Sequence, residues 1–89
     1  MADLQGATLR ITNLKGANLF NTNLQQADLK TANLEGSELT TANLADADLK
    51  SAILTDADMA GSNLRGADMR SAKLTGANLR DANLEGAIF

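Results

Sequence analysis

The 89-residue sequence is long enough for one domain, residues 1–89, and its formal net charge of −3 argues weakly against general affinity for nucleic acid. It contains no Cys and no His, which excludes disulfides, thiolate metal sites and catalysis that needs a His base. Only 2% of the residues are aromatic, fewer than an ordinary globular core of this size would carry. No apolar run approaches the roughly 20 residues that span a bilayer, and no signal peptide is recognisable, so we expect a cytoplasmic protein with no membrane association.

A five-residue unit, Ala-Asp/Asn-Leu-x-x, begins at residue 2 and repeats without interruption to the end of the sequence. Its third residue is large and apolar: Leu in most units, and otherwise Met59, Met69 or Phe89. The residue two positions earlier is small, usually Ala and sometimes Thr or Ser. Every Gly in the sequence lies two positions after the large apolar residue.

This period of five excludes the two regular secondary structures. A five-residue step turns an α-helix by about 140°, which would scatter the leucines around it, and on a flat strand it would alternate their faces. A coil that turns a corner every five residues instead points every Leu inward. Four units then close a square of about 20 residues, and about four and a half coils stack at roughly 4.8 Å. The small residue avoids overpacking the narrow interior.

The unbroken run of Ala-Asn-Leu and Ala-Asp-Leu units over the whole sequence resembles the pentapeptide repeat proteins. This resemblance implies an all-β fold, a right-handed quadrilateral parallel β-helix. The handedness comes from the resemblance alone, because the spacing does not establish it.

Residues 20 apart should share a face of the square, so the surface can be assigned by position. The first face begins at residue 2, the second at 7, the third at 12 and the fourth at 17. On the first face we expect an amide ladder in which each side chain hydrogen-bonds up and down the stack: Asn23, Asn43, Asn63 and Asn83. The fourth face is the more acidic, with a net charge near −2.

The second face carries a basic column beside an acidic one and is a possible interaction surface. The basic column is Arg10, Lys30, Lys50 and Arg70, and the acidic column is Asp28, Asp48 and Asp68. Cations at this rise approach the spacing of a nucleic-acid backbone, but no aromatic residues interleave them. The alternative, which we favour, is a solvated and self-compensated surface. Nucleic acid is therefore an unexpected partner.

The corners should follow the residue two positions after the Leu, where Gly recurs. Frequent Gly indicates a positive φ, as at the third residue of a type II turn. The second face has no Gly in this column, and we expect its corners not to be type II turns: Ile11, Thr31, Ser51 and Ser71.

The ends of the repeat carry no recognisable cap, which suggests an excised or designed segment, or ends that meet another molecule. Phe89 should lie across the interior as a partial plug. Together with Ile88 it gives that end a large apolar area, a possible interface for end-to-end self-association. We favour a two-fold homodimer through matching ends, which Phe89→Lys would convert to monomer. Head-to-tail contacts would give open stacks.

The sequence supplies no recognisable catalytic site, since every Asp and Glu falls on an outward position and no phosphate-binding loop is present. The Asp28, Asp48 and Asp68 column could hold Ca²⁺, but the adjacent cations oppose it. We therefore expect no metal, no cofactor and no enzyme activity. The favoured function is a structural or interaction module with an unknown protein partner. The alternatives are a DNA mimic that inhibits an enzyme such as gyrase, as some members of the family do, and an ice-binding Thr surface around Thr55 and Thr75.

Overall fold

The computed structural model describes residues 2–89 and forms a stack of four-sided coils. Parallel β-bridges join residues 20 apart, from Asp3–Asn23 to Asp68–Ile88. Within residues 2–89 there is no helix, and each five-residue unit contributes a single bridge residue rather than a longer strand. The coils comprise residues 2–21, 22–41, 42–61 and 62–81, with a partial coil at 82–89, and the stack measures 26 × 26 × 21 Å. The predicted parallel β-helix with four five-residue sides is confirmed.

The core is a column of large apolar side chains with small ones between them. The third residue of every unit from Leu24 to Leu64 is 0% exposed, and Met69 is 2% exposed. The small residues of the same coils, such as Ala42 and Ala52, are also fully buried. Close packing of this kind leaves no room for a second large residue on each side, which explains the alternation in the sequence.

Five successive backbone N–H groups donate to five different acceptors, as residues 43–47 illustrate. The N–H groups of Leu44 and Asp46 donate to carbonyls of the next coil at 2.7 and 2.8 Å, and that of Asn43 donates to the preceding coil at 2.9 Å. The N–H of Ala47 closes the corner on the carbonyl of Leu44 at 3.0 Å. The remaining N–H, that of Ala45, donates to Oδ1 of Asn43 at 3.1 Å.

This last bond explains why Asp or Asn precedes the Leu in most units. Every Asp, Asn or Glu in that slot accepts the N–H two residues later. Where the slot holds Thr8, Ile53, Lys73 or Ile88, no such bond forms in residues 2–89. The expected amide ladder is therefore wrong, because the oxygens of the four Asn side chains bind their own corners. The amide of Asn23 still donates to Asp3 of the coil below, at 3.3 Å.

All the corners adopt the same conformation, including those expected to differ. The φ angles of Ile11, Thr31, Ser51 and Ser71 lie between 58° and 63°, close to those of the glycines at equivalent positions. The prediction that these corners are not type II turns is therefore wrong. The N–H of the corner residue must donate to the next coil, as that of Ile11 does at 3.1 Å. A different turn would break the ladder, so stacking overrides a local strain of order 1 kcal/mol per residue.

Among the core side chains of residues 2–89, two hydroxyls have no protein hydrogen-bond partner. Oγ of Ser37 and Oγ of Ser62 are buried in the slot that most units fill with Ala. We predict that Ser62→Ala raises the free energy of unfolding by about 1 kcal/mol, since it removes an unpaired buried hydroxyl without leaving a cavity. Ala42→Ser, at the same slot one coil below, should lower it by a similar amount. Urea unfolding of both variants checks this, and a loss of stability in Ser62→Ala would contradict it.

Candidate interaction surfaces

The second face carries one continuous network of ion pairs. Arg10 pairs with Asp28 at 2.7 Å and Arg70 with Asp68 at 2.7 Å, so a guanidinium closes each end. Between them, Lys30 lies 3.6 Å from Asp28 and 3.4 Å from Asp48. Lys50 repeats this arrangement one coil higher, at 3.6 Å from Asp48 and 3.8 Å from Asp68. The 20-residue register therefore brings together all seven residues predicted from the sequence.

The network changes the acidity of its carboxylates. The hydrogen bond from Arg70 is the main cause that lowers the pKa of Asp68 to about 2. The hydrogen bond from Arg10 likewise lowers the pKa of Asp28, and Asp68 in turn raises the pKa of Arg70. Cations and anions alternate up the stack, so the repulsion within each column is offset by its neighbour. This geometry is that of a self-compensated surface, and binding of a partner to this face stays a prediction.

Net charge is distributed unevenly among the faces. The second face carries +1, from four cations against three carboxylates, and the third face is neutral. The first face carries −2, from these residues: Asp3, Asp46 and Glu85 against Arg65. The fourth face also carries −2, from these residues: Glu38, Asp58 and Asp81 against Arg80. The fourth and first faces share a corner, so half of the molecule's circumference is acidic.

Several of these carboxylates have no ion-pair partner. Within residues 2–89, no salt bridge involves Glu38, Asp46, Asp58 or Asp81. The sequence reasoning recognised the charge of the fourth face but missed that of the first. The negative charge of the first face could have been found from the sequence, because the same 20-residue register assigns Asp46, Arg65 and Glu85 to that face.

Two surface concavities lie on this acidic side. A shallow groove of about 500 Å³ runs along the first face between Asn43, Asn63, Asp46 and Arg65. Gly66 and Asp46 both line this groove, and they lie so close that a Cβ added at Gly66 would meet the carboxylate of Asp46. A smaller hollow of about 160 Å³ lies at the corner between the fourth and first faces, lined by Asn21, Thr22, Asn23, Thr41 and Asn43.

Large apolar side chains are exposed mainly in the end coils. Phe20, in the fourth face of the first coil, is 56% exposed. Ile88 and Phe89 are 49% and 60% exposed, and Leu84 in the same end layer is 37% exposed. Phe89 occupies the core slot above the buried Met69 and leaves the rest of the layer open. The use of Ile88 and Phe89 as an interface stays a prediction.

Residues 2–89 contain no group of three or more His, Cys, Asp or Glu placed to hold a metal ion. No helix in that range is long and apolar enough to cross a membrane. The cytoplasmic location stays a prediction.

Comparisons with known proteins identify the repeat. A family model described as Pentapeptide repeats matches residues 2–36, 42–81 and 52–89 in 8 copies. Comparison with curated proteins gave no match. Rfr23, a pentapeptide repeat protein from the cyanobacterium Cyanothece 51142, is 37% identical with a TM-score of 0.75, over 98% of this chain and 56% of Rfr23.

Two further solved structures are informative. HetL, a pentapeptide repeat protein involved in heterocyst differentiation regulation in Nostoc sp. strain PCC 7120, is 36% identical with a TM-score of 0.51, over 97% of this chain and 44% of HetL. A trypsin-treated form of QnrB1, a plasmid-mediated fluoroquinolone resistance protein, is 18% identical with a TM-score of 0.51, over 96% of this chain and 59% of QnrB1. The likeness to QnrB1 shows the fold alone. The chain spans about half the length of Rfr23 and HetL.

The ion pair at the upper end of the second face predicts a pH dependence. Because the pKa of Asp68 is lowered from 3.8 to about 2, its contribution to stability is present above pH 3.8 and is lost as the pH falls through 2. We predict that the carboxyl ¹³C signal of Asp68 titrates near pH 2 in the folded chain. In Arg70→Gln the midpoint should rise toward 3.8. An unchanged midpoint in the variant would show that Arg70 is not the cause.

Proposed function

The chain belongs to the pentapeptide repeat family, and from that premise we propose that it is a non-catalytic structural module that binds a protein partner. The observation that supports this proposal is the separation of apolar side chains in the interior from charged side chains on the surface. Apolar and small side chains fill the interior, while all the charged groups lie on the four faces. The groups that a partner can contact are therefore the polar and charged side chains on the four faces, which form a regularly spaced surface.

We further propose that the fourth and first faces form the binding surface and that the partner presents a basic surface. The second face already satisfies its own charges, so a partner there would have to displace ion pairs. The fourth and first faces together carry −4, and Glu38, Asp46, Asp58 and Asp81 have no ion-pair partner in residues 2–89. The groove on the first face, the hollow at its corner with the fourth face and the exposed ring of Phe20 lie on the same side. Complementary charge favours encounter and orientation.

A basic peptide probe tests this choice of surface. Octalysine titrated into the ¹⁵N-labelled chain at low salt should shift the amide signals of the fourth and first faces most, with effects that fade as salt screens the charges. The double variant Glu38→Gln/Asp58→Asn should bind the probe several-fold more weakly. Both replacements keep a side-chain oxygen for the corner N–H. Shifts concentrated on the second face would overturn the proposal.

The alternative function is a DNA mimic that inhibits gyrase. The two adjacent acidic faces favour it, while the cations of the second face and the scattered Arg65 and Arg80 interrupt the negative surface. If it is correct, the chain at micromolar concentration should inhibit gyrase in a supercoiling assay, and neutralising Glu38 and Asp58 should weaken that inhibition. Full supercoiling activity at that concentration would remove this alternative.

A further inference from the structure

The backbone hydrogen bonds between coils have a net polarity that is the same in every unit. In each unit the N–H groups of the core residue and of the corner residue donate toward the C-terminal end of the stack, as those of Leu44 and Asp46 do. The carbonyls that accept them belong to the residues just before and just after the core residue, as Asn63 and Arg65 show. A single N–H per unit, such as that of Asn43, donates in the opposite direction.

This polarity makes the two ends of the stack chemically different. In residues 2–89, the upper, C-terminal end has N–H groups with no acceptor above them, on these residues: Ser71, Leu74, Gly76, Leu79, Asp81, Leu84, Gly86 and Phe89. The lower, N-terminal end of the same range has carbonyls with no backbone donor below them, on these residues: Asp3, Gln5, Thr8, Arg10, Asn13, Lys15, Asn18 and Phe20. Unpaired ladder edges of this kind are templates for pairing with another chain.

The two ends complement each other, but neither complements itself. At the upper end each full unit offers two donors and one acceptor, so two upper ends facing each other would leave donors against donors. An upper end facing a lower end pairs every donor with an acceptor. We propose that copies of this chain associate head to tail, with the first coil of one copy on the last coil of the next, to form an open stack. This inference goes beyond the proposed function and does not depend on it.

The spiral of the chain fixes the rotation between copies. The last unit lies on the second face, so a copy that continues the spiral begins on the third face and is rotated by about half a turn. Its half-buried Leu4, Leu9 and Leu14 then lie over Leu74, Leu79 and Leu84, whose apolar surface is partly exposed in the single chain. Burial of these faces supplies the non-directional part of the attraction.

The same rotation brings opposite charges together at two positions. Asp3 of one copy lies over Lys73 of the next, and Lys73 has no ion pair within residues 2–89. Lys15 lies over Glu85, one coil apart, as Lys15 and Glu35 are within one chain at 3.3 Å. One contact is unfavourable, since Arg10 comes to lie over Arg80.

Sedimentation and light scattering of the 89-residue chain test the proposal. The average mass should grow with concentration beyond twice 9.3 kDa, because head-to-tail contacts do not close. A mass that stops at two copies would support the two-fold dimer through Ile88 and Phe89 instead. A mass that stays at 9.3 kDa up to several hundred micromolar would overturn self-association altogether.

A substitution at the lower edge of the stack distinguishes association by backbone pairing from nonspecific association. Thr8→Pro removes an N–H that points out of the stack and places the ring where the next copy would pair. Thr8 does not cap its own corner, so the fold should survive, which thermal melting checks. We expect association at least about tenfold weaker than in the matched control Thr8→Val, which keeps the N–H. Equal association of the two folded variants would overturn the proposal.

A charge reversal at the upper end tests the rotation. Lys73→Glu sets a carboxylate against Asp3 of the next copy and should weaken association several-fold. Ala60→Glu, which adds a carboxylate in the middle of the stack, should leave it nearly unchanged. If both variants weaken association equally, net charge and not the proposed register is responsible.

Discussion

The structure depends on the N–H of the corner residue, which must donate to the coil above while the chain turns. One type of turn allows both this ladder bond and the hydrogen bond that closes the corner. The corner residues therefore all have a positive φ. The consequence is a register of 20 residues that holds for every parallel bridge. Ile11, Thr31 and Ser51 are held in a conformation that their side chains disfavour, because a local change would cost the ladder bonds of two coils.

The same accounting explains the polar half of the repeat. Four of the five N–H groups in a unit find backbone acceptors, and the fifth has none within reach. An Asp or Asn before the Leu supplies the missing oxygen, and Glu38 does so with a longer side chain. The Asx slot is therefore a structural requirement in most units, and its presence on a face does not by itself indicate a binding site. A carboxylate in that slot first accepts the N–H of its own corner, and only its remaining oxygen is available to interact with other groups on the surface.

The proposed function depends on the way this regular backbone arranges charge. On the second face, Lys30 and Lys50 each lie within reach of two carboxylates from successive coils, so the charges stabilise one another. On the fourth and first faces the carboxylates outnumber the cations and stay available to a partner. A filled core, flat sides and unequal faces are properties of an interaction scaffold. The head-to-tail association proposed from the polarity of the ladder is a second kind of contact, at the ends, that is independent of the faces.

The sequence by itself determined the parallel β-helix, the 20-residue register, the core slots and the gathering of the charged columns, because a strict period of five leaves one way to bury every Leu. It also placed Arg10 beside Asp28, since the register makes them neighbours in successive coils, and Arg70 beside Asp68, since both point outward from one unit. Only the tertiary structure decided the conformation at Ile11 and Thr31, because ladder bonds between coils outweigh local preference. It also decided the direction of the Asn43 side chain, since the N–H that needed an oxygen became evident only when all the others had been paired.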